Sequence, residues 1–207
     1  MPQLAKPRLL LDGLAIGESP RWHDGRLWLC NWGVGEIVAV GLDGSSEVVA
    51  RGPELLGWSI GWLADGRMLI TGEELVRVEP DGSRVRHADL GHISPYGWNE
   101  LTVDGRGNVY VNTINFDFAE FGDVLTTGKA PGKIALVTPD GEAREVASEM
   151  AFPNCVAETG LHAVSTCGWV CDEFPRAAFP SLPRGMASRV WAGSSLQRRE
   201  AETLQGV

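Results

Sequence analysis

The chain has 207 residues, 43% hydrophobic and 22% charged, a composition that encloses a real core and excludes a disordered chain. Its 27 acidic residues against 18 basic ones leave a formal net charge of −9, which repels phosphate backbones and argues against a nucleic-acid partner. No apolar run approaches the ~20 residues that span a bilayer, so no membrane partner is expected.

The N-terminal stretch MPQLAKPRLLLDG has an apolar segment too short for a secretory signal core, and a cytoplasmic location is expected. The four cysteines, Cys30, Cys155, Cys167 and Cys171, form no CxxC pair and read as reduced thiols. Cys167 and Cys171 lie four apart, but only His162 offers a further ligand, so a zinc site is not expected there. Nothing in the sequence sets an oligomeric state.

The first notable stretch is GESPRW, residues 17–22, where the carboxylate of Glu18 follows an apolar run. Next come HDGRLWLCN from His23, ADGRMLITG from Ala64 and VDGRGNVYVN from Val103, whose aspartates Asp24, Asp65 and Asp104 are spaced by 41 and 39 residues. A second Asp-Gly recurs inside each unit, at Asp43-Gly44, Asp81-Gly82 and Asp140-Gly141. An Asp-Gly between two alternating apolar runs is a hairpin signal. Each unit therefore reads as a four-stranded meander of about forty residues, the period of a propeller blade. The expected fold is all-β, a β-propeller of which residues 1–154 supply three to four blades, with an irregular tail over 155–207. A β-sandwich of many hairpins is the plainer alternative.

The third unit carries TINFDFAEFGDVLTTGKAPG between Asn112 and Lys133, which is long for a connection inside a blade. Such a loop is either functional or a surface excursion. His23 and His87 read as surface turn or strand residues.

The innermost strands of a propeller line one channel, so polar residues at equivalent offsets converge. Glu18 precedes Asp24 by six residues and Asn99 precedes Asp104 by five, and Asn154 in AFPNCV is placed to open the first strand of a fourth unit. Carboxylate and amide oxygens are hard ligands for Ca²⁺, Mg²⁺ or Mn²⁺, and less selectively for Zn²⁺. The same residues could instead cap turns. Spacing alone leaves both readings open.

GESPRW, DGRLWLCNWGVGEIVAVGLDG, WNELTVDGRGNVYVN, GKIALVTPDGEAREVA and FPN, ordered along residues 9–154, resemble the gluconolactonase / senescence-marker-protein / luciferin-regenerating-enzyme-like family. The resemblance implies a six-bladed propeller holding one divalent cation, Ca²⁺ foremost, and hydrolysis of a small-molecule lactone. It implies Glu18 and Asn154 as metal ligands, and Asn99 as a residue that binds substrate and water. Glu100 fills the acidic place beside Asn99 and is a candidate to assist proton transfer. The family's third ligand, an Asp in a later Asp-Gly motif, has no counterpart here. Some members carry an Arg two residues before the Asn, where this chain has Gly97, so recognition of a sugar lactone by that Arg is not implied.

After Asn154 the pattern fails. No Asp-Gly follows Gly141, Pro175, Pro180 and Pro183 interrupt any strand, and SRVWAG from Ser188 again resembles a family segment. A shifted reading frame over residues 155–187 and a divergent tail are both open. In either case the blades are expected to leave apolar faces open, and a non-catalytic binding scaffold or inactive fragment is the rival to a lactonase. A strictosidine-synthase-like propeller is a third reading, disfavoured by the acidic GE-x-P motif.

Overall fold

The computed structural model describes residues 8–127, 130–158 and 163–167. Three four-stranded antiparallel sheets follow one another along the chain, each a plain meander in strand order. The first holds β1 (Ile16–His23), β2 (Arg26–Trp32), β3 (Glu36–Val40) and β4 (Ser46–Arg51). The second holds β5 (Ile60–Trp62), β6 (Met68–Ile70), β7 (Leu75–Val78) and β8 (Arg84–Ala88). The third holds β9 (Leu101–Val103), β10 (Val109–Ile114), β11 (Pro131–Val137) and β12 (Ala143–Ala151). A further hairpin pairs β13 (Pro153–Glu158) with β14 (Ala163–Cys167). These are the blades expected from the repeat.

The boundary expected at residue 154 falls inside β13, so strand pairing continues to Cys167. The stretches CVAE and AVSTC are apolar enough to pair although no Asp-Gly joins them. Residues 168–207 lie outside the described residues, and with them Cys171 and most of the segment read as frame-shifted; His162 also lies outside them.

The Asp-Gly signals mark real turns, of two kinds. Asp24 and Gly25 both take positive φ, 48° and 74°, and His23 pairs with Arg26, which is a two-residue turn matched to strand twist. At Asp43, Asp65 and Asp81 the carboxylate instead accepts the backbone N–H two residues on, at 2.9, 3.0 and 2.9 Å. In the third unit the turn runs from Asp104 to Gly107, and the left-handed glycine is Gly107 rather than Gly105.

The carboxyls of Asp43, Asp65 and Asp81 lie below their ordinary value of 3.8, held there first by hydrogen bonds from Ser45, Arg67 and Ser83 respectively. A depressed folded-state value means these turns contribute stability above pH 3.8 that is lost as pH falls through the lower folded values. The melting temperature is therefore expected to drop steeply below about pH 4. A melting temperature that keeps rising down to pH 3 would contradict this account of the turns.

Alternation along the strands buries both faces of the sheets. Trp28, Cys30, Ile37 and Ala39 pack towards the second sheet, where Trp58, Ile60 and Ile70 meet them. Leu69, Leu75, Trp98, Leu101, Val109, Val111, Ala135 and Val137 fill the space between the second and third sheets. Gly61 on β5 allows this approach, because a Cβ there would meet Leu101 Cδ1 at 2.4 Å. On the far side of the first sheet, Leu29, Val38 and Val40 are covered by Leu10, Leu11 and Leu14 from the segment before β1. That face was expected to lie open; the N-terminal apolar run covers it instead.

The two histidines read as surface turn or strand residues stand in strands and are partly exposed. His23 stacks on Trp62, with centroids 3.9 Å apart and planes 11° apart, edge-on to Trp28. His87 on β8 is half-buried, with Nδ1 3.4 Å from Arg77, and burial followed by the Arg77 charge lowers its pKa. The buried Cys30 is a free thiol whose pKa burial pushes up, which keeps it protonated.

The first strands of the successive sheets contact one another in order: β1 against β5, β5 against β9, β9 against β13. Because every sheet is an antiparallel meander, all four strands begin at the same end of the molecule. Glu18, Asn99, Glu100 and Asn154 sit at or near these beginnings.

Candidate functional site

Glu18 owes its presentation to a bulge. The ladder between β1 and β2 is regular up to Glu18 opposite Cys30 and resumes at Arg21 opposite Trp28, with one extra residue in β1. Ser19 takes φ 52° and is buried, while Pro20, which has no N–H to donate to the ladder, occupies the irregularity. The register slips again in the fourth hairpin between Pro153 and Cys155, at Asn154, just after Phe152 takes φ 49°. Bulges re-aim side chains, and here they fall at the two residues that the resemblance names as ligands.

Asn99 precedes β9 and is fixed through its backbone. Its N–H donates to Asn112 O at 2.9 Å, and its carbonyl accepts from the hydroxyls of Ser59, at 2.9 Å, and Thr71. Its side chain reaches the fourth hairpin, where Asn99 Nδ2 donates to Asn154 Oδ1 at 3.0 Å. Asn99 Oδ1 is buried and has no hydrogen-bond partner among the described residues, and neither has Asn112 Nδ2. Whichever way the two amides are turned, one amide accepts from the other and one carbonyl oxygen is left over.

Glu100 turns the other way. Buried at 7% exposure, it accepts from Ser19 Oγ through Oε1 and pairs with Arg21 Nη2 at 2.5 Å through Oε2. Arg21 also donates to Leu101 O at 3.0 Å, which ties the first blade to the third. Asn112 Oδ1 accepts the Glu100 N–H at 3.1 Å. Glu18 lies near enough to Glu100 to feel it: its carboxyl is pushed up first by burial and then by the Glu100 charge, against a smaller lowering by the Ser19 backbone.

All four expected residues thus lie at or near the beginnings of β1, β9 and β13. Asn99 joins Asn154 directly, and Glu100 couples electrostatically to Glu18. Arg21, Ser19, Ser59, Thr71 and Asn112 were not foreseen. Two of them had a signal: Thr71 directly follows the second strand of its repeat and Asn112 lies in the later half of its own, as Asn31 does in β2, and Asn31 likewise accepts backbone N–H groups leading into β1, from Ala15 at 2.8 Å and Ile16 at 3.3 Å.

The donor set fits a hard divalent cation. A half-buried carboxylate whose ionised form is disfavoured by burial and a like charge would gain from a cation beside it, and a buried amide oxygen without a donor is a ready ligand. Among the described residues, no group of three or more His, Cys, Asp or Glu side chains is placed to hold a metal, so any cation here depends on amide oxygens and water. A Cβ on Gly97 would meet Gly72 O at 3.0 Å, so the backbone crowds the position where some relatives carry Arg.

The model of the SMP-30/Gluconolactonase/LRE-like region matches residues 16–159. The chain belongs to this family. Its fold is similar to that of a calcium-binding regucalcin from Agrobacterium tumefaciens, at 20% identity and a TM-score of 0.55, over 72% of this chain and 49% of that one. It is similar to a gluconolactonase from Xanthomonas campestris at 17% identity and a TM-score of 0.54, over 71% and 52%. It is also similar to a luciferin-regenerating enzyme at 17% identity and a TM-score of 0.53, over 71% and 50%. No curated protein matches the chain. This SMP-30/gluconolactonase/LRE-like chain spans about half the length of each of these structures. Among its described residues no helix is long and apolar enough to cross a membrane.

Proposed function

We propose that the protein hydrolyses a lactone with the help of one divalent cation held by Glu18 and the amide oxygens of Asn154 and Asn99. The observation that supports this reading is the buried Asn99 Oδ1, unpartnered among the described residues, on an amide whose Nδ2 donates to Asn154 Oδ1, at the strand end that also carries Glu18. Ca²⁺ is the first candidate by donor chemistry, with Mg²⁺, Mn²⁺ and Zn²⁺ as alternatives.

When bound, such a cation polarises a carbonyl and lowers the pKa of a water. The chain's own residues do the rest. Glu18 supplies the one carboxylate not committed to an ion pair. Asn112 Nδ2, a buried donor without a partner among the described residues, is the group this reading assigns to a water or substrate oxygen. Glu100 is kept in this reading as the acidic residue of the site, but Ser19 and Arg21 engage its two oxygens. We therefore assign it to positioning Asn99 and setting the local field rather than to carrying a proton.

Added Ca²⁺ or Mn²⁺ is expected to raise the melting temperature in a concentration-dependent way and to support hydrolysis of a simple lactone. Neither effect with any of the four cations would leave a binding scaffold as the better reading. A cytoplasmic location and a lactone as sole small-molecule partner belong to the same proposal.

A further inference from the structure

We propose that the substrate carries an apolar group, and that the segment between β10 and β11 is the wall this group packs against. This rests on the lactone-hydrolase reading of the site. The meander topology places the β2–β3, β6–β7 and β10–β11 connections at the end where the first strands begin. The first two are short, residues 33–35 and 71–74, whereas the third covers residues 115–130 and contains a helix, α1 (Phe121–Thr127). The longest of these three connections therefore stands at the same end as Glu18, Asn99 and Asn154.

Its aromatic residues lead towards the site. Phe116 is buried and meets Phe152 with centroids 6.4 Å apart, and Phe121 meets Phe152 at 5.2 Å. Phe152 stands two residues before Asn154, with its N–H donated to Ala130 O at 2.8 Å. Phe118 stacks on Phe121 at 5.3 Å and remains 50% exposed. Phe116 and Phe152 thus anchor the segment, while Phe118 extends the aromatic surface beyond what anchoring needs. Ser94 Oγ donates to Asn115 Oδ1 at 3.3 Å and holds the loop bearing Tyr96, 37% exposed, at the root of the same segment.

The polar complement points the same way. Asp117 and Glu120 lie exposed on this segment and disfavour phosphate or carboxylate groups. Gly97 offers no side chain to a polyhydroxylated ring. An uncharged lactone bearing an alkyl or aryl substituent satisfies both conditions. In its hydrolysis the oxygen of water bonds to the carbonyl carbon and the ring C–O bond breaks. One water proton passes to the ring oxygen and the other is released from the new acid, giving a hydroxy-carboxylate that the acidic rim expels.

The test compares kcat/KM for a phenyl- or hexyl-substituted δ-lactone with that for gluconolactone, using the metal-loaded full chain and its Phe118→Ser and Phe118→Leu variants. Calorimetric binding of the matching lactams, which are not turned over, is measured alongside. The apolar substrate is expected to be preferred by about tenfold or more. Phe118→Ser removes most of that preference in both kcat/KM and lactam affinity, Phe118→Leu keeps most of it, and the melting temperatures of the three chains, measured alongside, show each folded at the assay temperature. Hydrolysis with a gluconolactone preference, or a ratio unmoved by Phe118→Ser, overturns this inference alone. No hydrolysis together with no metal binding overturns it along with the function it rests on.

Discussion

A Glu18→Gln chain is expected to bind Ca²⁺ or Mn²⁺ at least ~tenfold more weakly than the wild type and to lose most lactone hydrolysis, because the site's one uncommitted carboxylate is gone. Without metal the same chain should melt no lower than the wild type, and higher near neutral pH. The sign follows from the raised Glu18 pKa. A carboxyl whose folded value lies above its unfolded value of 4.5 opposes folding when ionised, and that penalty disappears as pH falls from above the folded value to below 4.5. Glutamine carries no charge to penalise. The stability gain should therefore be present at pH 7 and absent at pH 4. Differential scanning fluorimetry at both pH values, with and without cation, reads both halves of the prediction. A loss of metal affinity accompanied by a large fall in metal-free melting temperature would mark Glu18 as a structural residue.

Arg21→Met is expected to destabilise the protein by about 2–4 kcal/mol, because it leaves Glu100 buried without its cation. Three contacts are lost at once, the ion pair, the bond to Leu101 O and the bond to Pro20 O, and with the first two goes a tie between the first and third blades. Adding Glu100→Gln to Arg21→Met should recover a substantial part of the loss, since the uncompensated charge rather than the missing contact dominates the cost. Urea denaturation of the two single variants and the double variant measures the coupling. Single-variant losses that simply add would show that the pair is not coupled in this way.

The hairpins were legible because a turn is written locally. An aspartate and a glycine at fixed offsets dictate the turn with little help from the rest of the fold, and the forty-residue recurrence then gives the blade. The placing of Glu18, Asn99 and Asn154 at or near strand beginnings was legible for the same reason: similar offsets from equivalent turns put residues at similar positions in successive sheets. The partners of those residues were not. Arg21 and Glu100 are 79 residues apart, and nothing local to either says that they meet. The bulge at Ser19 depends on how β1 finds its register against β2, which the motif GESPRW announces only through Pro20. His23 looked like a turn residue because it adjoins Asp24-Gly25, yet stacking on Trp62 of the next sheet decides its environment. The apolar run before β1 read as a leader into the first strand, and its covering of Leu29, Val38 and Val40 emerges only once the first sheet has an outer face to cover.

The bulges matter beyond register. A regular strand would present side chains alternately to the two faces of its sheet, as Trp28 does towards the second sheet and Leu29 towards the N-terminal segment, and both directions are apolar core. A ligand residue cannot be accommodated in either direction without a partner. Breaking the ladder at Glu18 and at Asn154 frees each side chain from that alternation. This links the local sequence, Ser-Pro after Glu18 and Phe-Pro before Asn154, to the chemistry available at the strand beginnings.

The most direct measurement is the anomalous scattering of Mn²⁺ in crystals of the wild-type chain soaked with the ion. The account predicts one dominant peak within about 2.5 Å of a Glu18 carboxylate oxygen and of an amide oxygen from the Asn99–Asn154 pair. A peak ligated elsewhere in the chain, with Glu18 and the amide pair left unligated, would contradict it.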